Sequence, residues 1–309
     1  MQRALVPAVF LILAGMALAE PTHPERLAPK QLAQDGRVTL SPGFSPDGNT
    51  IYFAQSACSP IWKCPQTLKR AERAGAGWTA VVDVVLPSEG RVDWPSVSPD
   101  GNTLFFSWSA ERPGLANLDI SENFDLYTLD LTDPNATPVP ITSGDINRPR
   151  AGSLKRLRFM HNETLPSLTA AGVLYFMTER PDGLGERDIY VAQPDGTGHF
   201  STAVPLPPPV NSSGRDDGVW VDASGTVMLL SYPDRGGEGG ADIFLSRRGV
   251  NGWSKPSNLG PRINSPYAEF GARLTPDGTQ IVFTSDRPFA GQAAGLLQVW
   301  IAPFSAADL

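Results

Sequence analysis

Counting nine residues back from a recurring turn glycine finds a carboxylate three times, at Glu163, Asp216 and Glu269. Asp93 stands one position off the same place in another copy. Equivalent positions of a repeat point the same way, so these four acids would ring one mouth of a central channel if they begin the innermost strand of each unit. There they could hold a cation or a basic segment of a partner. They could equally cap turns or pair with arginines between units, which would leave them no chemistry. Carboxylates facing one another across a funnel also serve as acid and base in glycosidases, and Glu163, Asp216 and Glu269 could play those parts by analogy of fold. Their repeat-equivalent placement suits a symmetric ring better than a specialised acid and base.

A second pattern sets an acid before an arginine: Glu111-Arg112, Glu179-Arg180, Asp234-Arg235 and Asp286-Arg287. In three copies an aspartate follows, Asp125, Asp188 or Asp242. A ligand site is normally unique, whereas a residue that every unit needs recurs. Each arginine is therefore expected to pair with the later aspartate as an ion pair inside its own unit. Signatures of catalysis are thin. The three histidines are His23, His161 and His199, and there is no Gly-x-Ser-x-Gly elbow, His-Glu-x-x-His helix or phosphate-binding glycine loop. No cofactor is implied beyond a cation in the channel. Trp94, Trp220, Tyr267 and Phe270 lie beside the acidic positions and could form a carbohydrate platform, whereas Trp62, Trp78, Trp253 and Trp300 are expected to pack between sheets.

The elements that must carry these residues repeat along the chain. SPDGNTIYF, SPDGNTLFF, TAAGVLYF, DASGTVMLL and TPDGTQIVF are five copies of a turn followed by a β-rich strand. Their turn glycines, Gly48, Gly101, Gly172, Gly225 and Gly278, recur at intervals of 53, 71, 53 and 53 residues. A period of this size means an array. A further strand follows in four copies, as FDLYTLDL, RDIYVA, ADIFLS and LQVWIA, and then a glycine-aromatic turn and a weaker strand, as in GWTAVVDVVL. Four antiparallel strands per unit predict an all-β fold, a β-propeller of five blades. The long interval holds 18 extra residues, too few for a sixth blade and enough for a surface loop that includes Arg148, Arg150, Lys155, Arg156 and Arg158. The last copy stops at Phe304, and the early segment ERLAPKQL resembles the fourth-strand segment SKPSNLGP, so an N-terminal strand is expected to close the last blade.

Arg3, the apolar run Ala4 to Ala14 and the small residues Ala17 and Ala19 read as a signal peptide over residues 1–19, leaving residues 20–309 as a single domain exported to the periplasm or secreted. Cys58 and Cys64, the only cysteines, are expected to form a disulfide in that compartment. The formal net charge is −7, and −8 without Arg3, which argues against nucleic acid or anionic lipid as partner.

The Ser-Pro-Asp-Gly turn, the Tyr-Phe or Phe-Phe strand after it, the Asp-Ile-Tyr strand and the Asn-Ser step resemble the WD-like β-propeller repeats of the TolB C-terminal domain over most of residues 25–304. Copies one, two and five match best, while copies three and four replace the Pro-Asp pair with Ala170-Ala171 and Ala223-Ser224. The resemblance implies a periplasmic propeller that binds other proteins, such as an envelope protein or a peptidoglycan-associated ligand, and the chain as a whole reads as a monomeric, non-catalytic binding module. The chain departs from TolB in having only some twenty residues between the predicted cleavage site and the first repeat. A glycan-binding or glycan-cleaving propeller is the alternative.

Overall fold

The second strand of every repeat holds three or four consecutive apolar residues, IYFA, LFF, LYFM, VMLL and IVF, which is the pattern of a strand covered on both faces rather than one. The computed structural model describes residues 23–59, 61, 64–110, 124–148 and 162–304. It begins with a two-residue strand, β1 (Glu25–Arg26), set apart from the first repeat. Blade one contains β2 (Val38–Phe44), β3 (Thr50–Ser56), β4 (Thr67–Ala74) and the short outer pieces β5 (Gly77–Trp78) and β6 (Val82–Asp83). Blade two contains β7 (Val92–Val97), β8 (Thr103–Trp108), β9 (Asp125–Asp130) and β10 (Val139–Pro140). Blade three contains β11 (Glu163–Leu168), β12 (Leu174–Thr178), β13 (Asp188–Ala192) and β14 (Val204–Pro205). Blade four contains β15 (Gly218–Val221), β16 (Val227–Tyr232), β17 (Asp242–Gly249), β18 (Gly252–Trp253) and β19 (Ser257–Asn258). Blade five contains β20 (Glu269–Leu274), β21 (Gln280–Ser285) and β22 (Gln298–Pro303), and its fourth strand is β1.

The protein is thus a five-bladed β-propeller of antiparallel sheets, with β2, β7, β11, β15 and β20 innermost. Glu25 pairs with Ile301 and Arg26 with Trp300, so the N-terminal strand closes the ring. No sixth sheet forms among the described residues. The arginine-rich stretch after Arg148 and its companion His161 lie outside them, as do residues 1–19, Trp62, Glu111 and Arg112.

Successive blades are joined by apolar side chains that alternate between the two faces of a strand. In β12, Leu174 and Phe176 pack toward blade two with Phe105 and Leu126, while Tyr175 and Met177 pack toward blade four with Met228, Leu230 and Tyr232. All five residues of β12 are buried as a result. Trp300 belongs to the layer between blades four and five, and Trp78 to the layer between blades five and one. The turn glycines 48, 101, 172, 225 and 278 all have φ between 70° and 79°, which is why that position is glycine in every copy. Cys58 and Cys64 form a disulfide with Cα atoms 6.2 Å apart, bracing the loop between β3 and β4. No helix among the described residues is long and apolar enough to cross a membrane.

Candidate functional site

Three of the four acids are locked into ion pairs. Glu163 and Glu269 open β11 and β20, Asp216 lies two residues before β15, and all three side chains are fully buried. Arg180 reaches Glu163 at 3.0 Å, Arg235 reaches Asp216 at 2.9 Å and Arg287 reaches Glu269 at 2.9 Å. The arginines therefore turn to the acid that precedes them, not to the later aspartate that the sequence suggests. Register is the reason. Glu163 lies opposite Thr178 and Glu269 opposite Ser285, so an arginine two residues further along folds back over the inner strand. The pairs lie within a blade rather than between blades.

The later aspartates serve the loop instead. Asp188 accepts the backbone N–H of Gly185 at 3.0 Å, and Asp242 accepts that of Glu238 at 2.6 Å and Asn258 Nδ2 at 2.8 Å. Asp125 holds the equivalent place at the start of β9, and its expected partner Arg112 lies outside the described residues. The Asn-Ser step supplies the remaining bonds. Ser212 donates its N–H and Oγ to Asp216, and Ser265 does the same to Glu269. The neighbouring Asn211 and Asn264 bracket the backbone of Ile189 and Ile243.

Asp93, second residue of β7, differs from the other three. It is 3 % exposed and bonded by Ser41 Oγ from blade one and by the Trp94 N–H at 3.0 Å. Burial raises its pKa to about 6, against the pull of Ser41 and the charge of Arg91. A carboxyl whose pKa is higher folded than unfolded favours folding in its protonated form. That contribution is full below pH 4 and fades as pH rises through 6. Stability should therefore rise between pH 7 and pH 4 by up to about 3 kcal/mol from this group. Denaturant melts at the two pH values should show a smaller rise in Asp93→Asn; an identical rise would remove Asp93 from that role.

The inner strands carry a β-bulge in four blades, between Leu40 and Gly43, Asp93 and Ser96, Thr164 and Ser167, and Phe270 and Arg273. One residue of each bulge has positive φ: Ser41 (57°), Trp94 (55°), Leu165 (55°) and Gly271 (62°). Bulges re-aim side chains. Trp94 is aimed across the channel, where its ring lies against Phe270 at 6.0 Å between centroids. A Cβ added to Gly271 would stand 2.1 Å from Trp94 Cζ3, so the indole needs glycine in the facing blade. Beneath it Arg273 Nη1 donates to Pro95 O at 2.8 Å, a second link between blades five and two.

These crossings separate two mouths. The upper cavity, about 540 Å³, is lined by Asp93, Trp94, Phe270, Met177, Arg187 and Arg215 among others, with Ile61 brought in by the disulfide-braced loop. Arg187 bridges Glu179 at 2.6 Å and Asp217 at 3.0 Å, tying blade three to blade four, and Arg215 meets Asp234 at 3.2 Å. No carboxylate lining this cavity stands free: Asp93 is held by Ser41, Glu179 and Asp217 by Arg187, and Glu186 is also engaged. Among the described residues no three His, Cys, Asp or Glu converge as metal ligands. Of the expected aromatic platform, Trp94 and Phe270 share the upper mouth while Trp220 lines the lower one, a cavity of about 490 Å³.

No family model matches the chain, and no curated protein matches it. Among solved structures, a protein assigned as TolB from Agrobacterium tumefaciens is similar over 87% of this chain and 78% of its own, at 18% identity and a TM-score of 0.51. The GH43 endo-arabinanase of Bacillus licheniformis is similar over 88% and 96%, at 13% identity and 0.55. The α-L-arabinofuranosidase of Lactobacillus brevis is similar over 90% and 94%, at 15% and 0.53. The likeness is one of fold. It reaches proteins with names as different as TolB and endo-arabinanase, so function rests on the site.

Arg187, Asp217 and Arg273 were not singled out by their spacing, since none recurs in every blade. The bulges had a visible sign: Pro42, Pro95 and Pro166 stand six residues before their turn glycines, each just after the residue of positive φ.

Proposed function

We propose that this chain is a non-catalytic binding module, exported by cleavage after residue 19, which takes an envelope protein or peptidoglycan-associated ligand at the upper mouth as a monomer. The observation that carries this reading is the state of the carboxylates. Glu163, Asp216 and Glu269 are each neutralised by a guanidinium, which leaves none of them free to act as a glycosidase acid or base, and the Trp94 ring crosses the channel to Phe270. What remains is a cleft of mixed charge with apolar walls, suited to recognition. The Cys58–Cys64 disulfide accords with an oxidising compartment.

One observation favours the hydrolytic alternative. Asp93, with its raised pKa, stands at the upper mouth in the manner of a general acid, and the solved neighbours include an α-L-arabinofuranosidase.

Both readings are tested with the mature protein immobilised and exposed to envelope extract, beside an Arg215→Glu variant at the rim. The expected result is a specific protein or glycopeptide held by the wild type and weakened about tenfold in the variant, mostly through association rate. Release of nitrophenol from nitrophenyl α-L-arabinofuranoside, lost in Asp93→Asn, would replace the binding reading with the hydrolytic one.

A further inference from the structure

Just below the Trp94 crossing, the five inner strands present Gly43, Ser96, Ser167, Trp220 and Arg273 at one level, each paired with the corresponding residue of the second strand. Four blades offer a hydrogen, a hydroxymethyl or an indole there, and blade five offers a guanidinium. Arg273 is 7 % exposed, and its Nε has no hydrogen-bond partner among the described residues. Arg180, Arg235 and Arg287 each hold a carboxylate, whereas no salt bridge reaches Arg273 among the described residues. Among the described residues its one hydrogen bond is to the neutral carbonyl of Pro95. Burial without a counter-charge lowers its pKa to about 10.

A buried cation ordinarily has an anion beside it. The cavity of about 490 Å³ that Arg273 lines has room for one to arrive from outside. Apolar Phe44, Val97, Leu168, Leu274 and Trp220 line it together with Arg273 and the hydroxyls of Ser96 and Ser167. The rim acids do not fill the role. Asp222 accepts the N–H groups of Thr226 and Val227, both at 2.7 Å, and Asp277 accepts Thr275 Oγ1 at 2.6 Å and the Thr279 N–H at 3.1 Å. Each caps its own turn.

We propose that the lower mouth binds a small monocarboxylate with a flat or branched apolar body, the carboxylate on Arg273 and the body against Trp220. A guanidinium with a planar fork suits a carboxylate, and an indole suits an apolar body of matching width. The site lies on the opposite side of Trp94 from the upper mouth, so its failure would leave the upper-mouth reading untouched.

Phenylacetate, its neutral isostere phenylacetamide, and acetate are the probes, read by titration calorimetry and by quenching of tryptophan fluorescence on the full mature chain. Phenylacetate should bind in the millimolar range or tighter, with the amide about tenfold weaker or worse because it lacks the charge. Acetate, without a body, should bind weakest. Arg273→Met should abolish the preference for acid over amide, and Trp220→Leu should weaken phenylacetate while keeping that preference. Equal affinity for phenylacetate and phenylacetamide, no binding of either, or an Arg273→Met variant that still prefers the acid would each overturn the proposal. Should Arg273→Met fail to fold, the acid-against-amide comparison on the wild type decides alone.

Discussion

Deleting residues 23–34 should lower the melting temperature by about 10 °C or more. The segment supplies the fourth strand of blade five through the pairs Glu25 with Ile301 and Arg26 with Trp300, and the Leu27 N–H extends the ladder to Val299 O at 2.9 Å. Leu27 and Leu32 are buried in the layer between blades five and one, against Ile51, Phe53, Val282 and Val299. Each buried leucine contributes about 1.5–3 kcal/mol and each net hydrogen bond about 1 kcal/mol. Together these come to about 5 kcal/mol or more, and a domain of this size shifts by about 2 °C per kcal/mol. The deletion also exposes the edge of β22, which promotes association between chains. Leu32→Ala alone should cost about 2–5 kcal/mol. Calorimetric melts of the wild type and both variants are the check, and an unchanged melt in the deletion would contradict closure through β1.

Replacing Arg180 with methionine should destabilise the protein by about 3–5 kcal/mol, because it strands a carboxylate where water cannot reach. Arg180 and Glu163 are both 0 % exposed in their side chains. Nε and Nη2 of Arg180 both donate to Glu163 Oε1, at 3.2 and 3.0 Å, and Nη2 also reaches Asp145 O at 2.8 Å. The rings of Phe176 and Tyr190 lie 5.5 and 5.1 Å from the guanidinium carbon. Adding Glu163→Gln to Arg180→Met removes the stranded charge, so the double variant should recover much of the loss. Arg215→Ala, which breaks an ion pair whose partners are 39% and 46% exposed, should change stability by less than about 1 kcal/mol. Denaturant unfolding of the four proteins measures all of this. Equal losses in the single and double variants would show that Arg180 acts through packing rather than charge.

The repeat was legible in the sequence because its period is carried by local chemistry: a turn that needs positive φ and a strand buried on both faces recur together, at 53 residues in three of the four intervals. The alignment of Glu163, Asp216 and Glu269 was legible for the same reason. Their partners were not, since whether Arg180 turns to Glu163 or to Asp188 depends on which residues face each other across β11 and β12. Spacing along the chain places both aspartate and glutamate within reach, and only register separates them. Trp94 and Arg273 were still further from view. Each meets a residue of a blade on the far side of the ring, Gly271 and Pro95, and such contacts leave no periodic trace.

Closure of the ring through β1 also fixes the order of events when the chain folds. Blades one to four are each built from contiguous segments, so their hairpins can form in microseconds from neighbours in sequence. Blade five cannot finish this way, because the residues nearest one end of the described chain must find Trp300 and Ile301 near the other. Contacts of that separation are the slow ones. The final docking step therefore determines how long β22 keeps an open edge, and a holdase acting late would protect the chain most.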